Sequence, residues 1–238
     1  MQIDDYKKMT WTDDKVKKFW DYESNFKENY FTYQVGDKVV SYLEKYLVNR
    51  SKILDYGCGS GYLVKHLLNL KSDIYGLDFS LDSVAKTNSS YKETTNYKGA
   101  CTLDALEKIG VSFDCIIATE VIEHLDDSKL VFMMQWIKQN LNSNGVGVFT
   151  TPNDEDLSKS MVYCPQSDVV FHRWQHVRSW SQETLRVFLL KYFDNVEIMT
   201  TNFSQKTSFM GLLKQKLKRL LGRHESVTHP HLIAVVSK

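Results

Sequence analysis

Proline is scarce in this chain, with three residues in 238, and no stretch rich in proline, glycine or serine reads as a linker. That scarcity excludes collagen-like and low-complexity architectures, and the chain shows no internal repeat. Cysteine is sparse too: Cys58, Cys101, Cys115 and Cys164 contain no CxxC pair. Neither a disulfide framework nor a zinc ribbon is indicated, and a reduced, cytoplasmic protein is expected. No apolar run approaches the roughly 18 residues of a membrane-spanning helix. The N-terminal stretch MQIDDYKKMTWTDDK lacks the apolar core of a secretory signal. Net charge is nearly absent as well, at +1, but the total hides a division. Residues 1–202 carry 23 Lys/Arg against 28 Asp/Glu, whereas residues 203–238 carry 7 against 1. The body is mildly acidic and the end of the chain is basic.

What remains is 42% hydrophobic and 25% charged, the composition of one globular domain able to bury a core of its own. Residues 1–34 are rich in Lys, Asp and aromatics and read as one or two helices lying against the body as a lid. The main domain is expected over 35–238. Val39, Val40, Leu43, Tyr46 and Leu47 follow at helical spacing. From there KILDYG, DIYGLD, FDCIIATE and GVGVFTT read as strands alternating with helices, one of them capped by Ser80. A further amphipathic helix carries Leu130, Met133, Met134, Ile137 and Leu141 on one face. Such alternation predicts an α/β fold, a mostly parallel sheet with helices on both faces and ligands at the carboxyl ends of its strands. Residues 152–180 form a long aromatic connection, an insertion of functional length. The helix SQETLRVFLLKYF and the strands NVEIMTTNF and HLIAVVSK complete the domain.

The run Asp55-Tyr56-Gly57-Cys58-Gly59-Ser60-Gly61 joins a strand to a helix. Its glycines allow close approach of a ligand to the backbone. The third glycine arrives one residue too early for a dinucleotide fingerprint, and Asp55 would repel a pyrophosphate. It suits an ammonium group instead. Asp78, at the end of the next strand, is placed to accept both hydroxyls of a ribose. An amino group, a ribose and no phosphate together describe S-adenosylmethionine (SAM).

The segments ILDYGCGSGYL (53–63), YGLDFS (75–80), FDCIIATEVIEHLDD (113–127) and GVGVFTTPN (145–153) resemble the class I SAM-dependent methyltransferases. The resemblance implies a Rossmann-like seven-stranded sheet, mostly parallel, whose last strand is inserted antiparallel. It also implies that Asp55, Gly57 and Gly59, with Tyr56, Cys58 and Gly61 in the same loop, form the methionine end of the cofactor site. Asp78 would hold the ribose and Phe79 would flank the adenine. Cys101, Thr102 and Asp104 compete for the adenine edge, with Thr102 taken as the candidate. Thr119 and Glu120 would lie beside the sulfonium.

Glu120, Glu123 and His124 stand within five residues at a strand end, and His172 and His176 follow in the 152–180 connection. Two carboxylates and two imidazoles, Glu120, Glu123, His124 and His176, suit a divalent cation such as Mg²⁺, Mn²⁺ or Zn²⁺. The E-x-x-E-H pattern resembles ubiquinone-biosynthesis O-methyltransferases and, in part, small-RNA 2′-O-methyltransferases. In both groups a metal is implied to activate the attacking hydroxyl. FHRWQHVRSW lacks the D-H-x-F-E-W of the RNA group, so an RNA acceptor is not implied. Without a metal, His124 or His176 would serve as general base beside Glu120. Arg173, Trp174, Arg178 and Trp180 offer a surface for a sugar, an aromatic ring or an anion, or else a packed lid.

Residues 206–223 hold six Lys/Arg and no acid. Phe209, Met210, Leu213, Leu217, Leu220 and Leu221 share one helical face there. The segment is expected either to dock on the body with a solvated basic back or to contact an anionic membrane, peripherally at its inner face. Nucleic acid ranks behind both, since the body is acidic. The function expected is O-methylation of a hydroxyl on a small or lipid-linked acceptor, a sugar or a quinol-like ring. RNA methylation and a non-catalytic SAM-binding module are the alternatives.

Overall fold

A computed structural model describes residues 6–203 and 230–238. A two-residue strand β1 (Lys7–Lys8) precedes helix α1 (Asp13–Glu23), a 3-10 turn (Lys27–Asn29) and α2 (Phe31–Leu47). Strands and helices then alternate through β2 (Lys52–Tyr56), α3 (Tyr62–Leu67), β3 (Asp73–Leu77), α4 (Leu81–Tyr91) and β4 (Tyr97–Cys101). The alternation continues with α5 (Leu103–Ile109), β5 (Phe113–Thr119), α6 (Asp127–Asn140) and β6 (Leu141–Pro152). A second 3-10 turn (Leu157–Ser160) and the hairpin of β7 (Met161–Cys164) and β8 (Val169–His172) follow. Helix α7 (Gln182–Leu189), β9 (Asn195–Thr201) and β10 (His231–Ser237) close the fold.

The main sheet has seven strands in the order β4-β3-β2-β5-β6-β10-β9. Strands β2 to β6 pair parallel, and β10 lies antiparallel between β6 and β9. Consecutive strand residues serve opposite faces. Ile53, Cys115, Ile117, Val148 and Ile233 pack with α2 and α3 through Val39, Leu43, Leu63, Val64 and Leu67. Leu54, Ile116, Ala118, Phe149 and Leu232 pack with α6 and α7 through Leu130, Met133, Ile137, Leu185 and Leu189. With both faces covered, the strands read as apolar runs rather than alternating ones. Strand order reverses between β2 and β5, so the ligand crevice lies above their carboxyl ends.

Caps set the helix starts. Ser80 accepts the N–H of Ser83, Asp126 that of Lys129, and Ser181 forms a reciprocal capping box with Thr184. Several local readings shift. Helix α2 starts at Phe31, so it runs across residue 34, and its first turn comes from the aromatic N-terminal segment. Leu141 is buried but ends α6 and opens β6, because its backbone has already turned extended (φ −74°, ψ 139°). The 152–180 connection is not structureless: β7 and β8 form a hairpin, and β1 adds to β8 in parallel as a small second sheet. Two-residue pairings across such sequence distance leave no local periodicity. The basic segment 206–223 lies outside the described residues, and with it the membrane contact expected over 209–223. No described helix is long and apolar enough to cross a membrane.

Candidate active site

The glycine loop turns the chain from β2 into α3 through three residues with positive φ. Gly57 has φ 78°, and a Cβ there would lie 2.8 Å from Cγ2 of Val121. Gly61 has φ 80°, and a Cβ there would meet Thr87 at 2.8 Å and Tyr91 at 2.9 Å. Only glycine fits such turns without shifting its neighbours. Gly61 shapes the loop and does not line the cavity described below: its N–H closes onto the carbonyl of Cys58, and it starts α3.

Asp78 organises the loop from the next strand. Its Oδ2 accepts the N–H of Gly59 at 2.8 Å and its Oδ1 that of Ser80 at 2.9 Å. Each oxygen keeps a further lone pair for a ligand. Asp55, at the end of β2, is buried with Oδ2 unpartnered. Burial, helped by the neighbouring Asp78 charge, pushes its pKa up to about 8. A buried carboxyl with an idle oxygen is what a cationic ligand would find useful. Thr119, at the end of β5, also buries a hydroxyl without a partner. Burial raises the Cys58 thiol well above its ordinary value, so it serves as a small apolar filler.

These groups line one cavity of about 770 Å³, within the range of small-molecule sites. Asp55, Tyr56, Gly57, Cys58, Gly59 and Asp78 form one end. Phe79, 59% exposed, supplies an open ring face beside it. Thr102 does not line the cavity. It stands just ahead of α5, with its carbonyl taken by the N–H groups of Ala105 and Leu106, and Leu103 reaches the cavity instead. The unpartnered Asp55 oxygen, the lone pairs left on Asp78 and the glycine cradle fit the ammonium, ribose and methionine parts of SAM.

Glu120, His124 and His176 line the other end. Glu120 sits at φ 53°, and its N–H bonds the carbonyl of Thr150 at 3.0 Å while its Oε1 accepts the Thr150 hydroxyl at 2.8 Å. Such a backbone in a non-glycine residue costs on the order of 1–3 kcal/mol, tolerated where the surroundings hold it. Glu123 is buried, with Oε2 accepting the hydroxyl of Thr151 at 3.0 Å and Oε1 unpartnered. Burial raises its pKa well above the carboxylate range, and the Glu120 charge adds to this. His124 has an unpartnered Nδ1, and burial first, then the proximity of the His176 imidazole, lowers its pKa to about 3. Its ring meets His176 edge-on at 4.8 Å.

Ligand atoms of Glu123, His124 and His176 lie within 4.8 Å of one another, and Glu120 is not in that group. A second group, Glu155, His172 and His176, shares His176. Glu155 accepts from Nδ1 of His176 at 2.5 Å and lies 3.4 Å from Nε2 of His172. Burial alone would raise its pKa, but the two histidines outweigh burial and bring it to about 2.

The 152–180 connection is fastened to the β5–α6 loop at three successive carbonyls. Val177 N–H reaches Glu123 at 2.9 Å, the Gln175 amide reaches His124 at 2.9 Å, and Nη2 of Arg178 reaches Leu125 at 2.6 Å. Gln175 is fully enclosed at φ 61°, and its Oε1 accepts Nε1–H of Trp20 on α1 at 2.9 Å. Trp20 meets the His124 ring edge-on at 5.0 Å. Thr150, Thr151, Glu155, Gln175 and Trp20 were not singled out by sequence reasoning. The first two were at least visible as the TT that closes the strand before Pro152.

Residues 26–196 match a family model described as a methyltransferase domain. The human mitochondrial ubiquinone biosynthesis O-methyltransferase is 30% identical over 151 residues, 58% of this chain and 40% of that protein. The match therefore spans about two fifths of that relative's length. Among solved structures, a SAM-dependent methyltransferase from Archaeoglobus fulgidus superposes with TM-score 0.61 at 16% identity, over 92% of this chain and 99% of that one. DhpI in complex with SAH superposes with TM-score 0.61 at 13% identity, over 92% of this chain and 93% of that one. With the family model spanning most of the chain and the sheet order, glycine loop and Asp78 all in place, the chain belongs to the methyltransferase-domain family and has the class I SAM-dependent fold.

Proposed function

We propose that the protein transfers the methyl group of SAM to a hydroxyl oxygen of a small or lipid-linked acceptor, a sugar or a quinol-like ring. The observation that carries the reading is the pair of imidazoles, His124 and His176, opening onto the same cavity as the glycine loop and Asp55. When bound, SAM supplies a methyl group already activated by its sulfonium. What remains for the chain is to place an oxygen in line with that methyl and to take its proton. His176, with Glu155 behind it, is the proton acceptor in this reading. His124, whose pKa is held near 3, stays uncharged and orients the hydroxyl by accepting its hydrogen bond. Helix α1, reaching over the cavity with Val16 and Trp20, serves as a lid.

Glu123, His124 and His176 also fit a divalent cation, since Oε1 of Glu123 and Nδ1 of His124 are buried without partners. Mg²⁺, Mn²⁺ or Zn²⁺ held there would lower the pKa of an acceptor hydroxyl. Chelation by EDTA should then abolish turnover and one of these ions restore it, whereas chelator-resistant turnover would leave the histidines acting alone. The lipid-linked form of the acceptor rests on the basic composition of residues 206–223. Flotation with anionic liposomes, with and without replacement of Lys214, Lys216 and Lys218, tests it, and equal flotation would remove the membrane from the reading.

The central experiment combines SAH calorimetry with transfer from tritiated SAM to catechol, to glucose and to a short single-stranded RNA. Label on a hydroxyl probe supports the proposal. Label on RNA alone replaces it with RNA methylation, and SAH binding without label on any probe points to a non-catalytic module.

A further inference from the structure

A neutral histidine has one donor and one acceptor nitrogen, so the partner on one nitrogen dictates what the other can offer. Three imidazoles meet at the acceptor end of the cavity, and their partners differ. His172 is buried, and its Nδ1 faces two backbone donors, the N–H of Trp174 at 3.3 Å and that of His176 at 3.2 Å. That nitrogen must carry a lone pair, which leaves the proton on Nε2, 3.4 Å from Oε1 of Glu155. His172 therefore has no lone pair left for a substrate or a cation.

His176 stacks on His172 with ring centroids 4.5 Å apart and planes inclined by 19°. Its Nδ1 faces Oε2 of the same Glu155 at 2.5 Å. An ionised carboxylate only accepts, so this nitrogen holds the proton, and the neutral ring keeps its lone pair on Nε2. The two stacked rings are thus in opposite tautomers, each set by its hydrogen-bond network. Nε2 of His172, 3.4 Å from Oε1 of Glu155, makes no hydrogen bond, so the carboxylate orients His176 alone.

We propose that Glu155 is a positioning residue that fixes the tautomer of His176 and makes its Nε2 the lone pair presented to the acceptor, while the backbone donors on Nδ1 withdraw His172 from the chemistry. The arrangement follows the logic by which a carboxylate behind a histidine orients a base or a metal ligand. It also gives the two neighbouring histidines different roles. The inference deepens the methyltransferase reading and rests on it for the identity of the acceptor, while the tautomer assignment stands on hydrogen bonds alone.

The test is nitrogen-15 long-range correlation spectroscopy on the full chain labelled at histidine, with SAH calorimetry in parallel. The unsubstituted protein should show His172 protonated at Nε2 and His176 at Nδ1. Glu155→Leu should move the His176 proton to Nε2, the tautomer that free imidazole side chains favour, with SAH affinity unchanged. Glu155→Ala, the smaller variant should the leucine chain fail to fold, removes the same acceptor and should move the His176 proton likewise, and in both variants His172 should stay protonated at Nε2 because its backbone donors remain. His176 protonated at Nε2 in the unsubstituted protein overturns the proposal. So does an unaltered His176 in Glu155→Leu or Glu155→Ala. The tautomers as assigned in a protein that does not bind SAH would support the positioning role and overturn the cofactor reading instead.

Discussion

The two ends of the cavity are built differently. At the cofactor end, a strand, a glycine turn and a helix start supply the cradle within a few residues, and Asp78 on the adjacent strand ties the loop with two backbone hydrogen bonds. At the acceptor end, the partners come from α1, the loop after β5, the end of β6 and the 152–180 connection. Trp20 and Gln175, which share a hydrogen bond, are 155 residues apart in sequence. The contrast shows why one cofactor site can serve many acceptors. The cradle depends on local backbone geometry, whereas the acceptor wall depends on which loops are packed over it.

If the two ends are separable, substitutions should sort cleanly between SAH affinity and methyl transfer. His176→Ala should give the largest effect, lowering transfer by about 10²–10⁴-fold with SAH affinity intact, the usual contribution of a positioned proton acceptor. A matching loss of SAH affinity would break the comparison. Asp78→Ala should act on the other end, weakening SAH on the order of 100-fold in calorimetry. Hydrogen bonds to charged groups are worth about 1.5–3 kcal/mol, and the loop anchor is lost as well.

The pH dependence of binding sharpens the cofactor end alone. The pKa of Asp55 is raised from 3.8 to about 8, so the folded, unliganded protein holds this proton more tightly than the unfolded chain. Its stability contribution is therefore fully present below the unfolded value of 3.8 and is lost as pH rises toward 8. A cationic cofactor favours the ionised carboxylate, so affinity should rise about tenfold per pH unit up to that point and then level off. Calorimetry in buffers of different ionisation enthalpy should show a proton released on binding. A flat profile would mean that Asp55 does not meet the cofactor's charge.

Trp20→Phe keeps the ring and removes only the donor to Gln175, leaving a buried amide oxygen unsatisfied at a cost of about 1–3 kcal/mol. It should lower kcat/KM about tenfold with unchanged SAH affinity. An unaffected kcat/KM would detach α1 from the acceptor end. Smallest of all, Ser181→Ala removes the capping box of α7, away from both ends. A loss of about 1 kcal/mol, seen as roughly 2–4 °C in Tm, should leave transfer unchanged.

The legibility of the sequence follows the same division. Six of the seven strands of the main sheet were legible as apolar runs, and the Ser80 cap and the glycine loop are local features, whereas the edge strand β4, YKGAC, is only partly buried and carries no such run. Asp55 and Asp78 could be named because a carboxylate at a strand end beside such a loop has few other uses. Glu120, Glu123, His124 and His176 could be named as ligand-type residues, but not ranked. Glu120 turned out to be held by Thr150, while Glu123 joined the two histidines. Glu155, one acid among several in NDEDL, carried no mark of its role. The left-handed Gln175 had none either, because φ is imposed there by partners distant in sequence.

By itself, then, the sequence determined the parallel sheet, the side of it on which ligands bind, and the cofactor cradle, because these rest on periodicity, strand ends and glycine stereochemistry within short windows. Only the tertiary structure decided which histidine offers a lone pair, which carboxylate stands behind it and what closes the cavity. Those outcomes depend on hydrogen bonds between segments far apart in the chain, and a hydrogen-bond partner is a matter of position, which residue type alone does not specify.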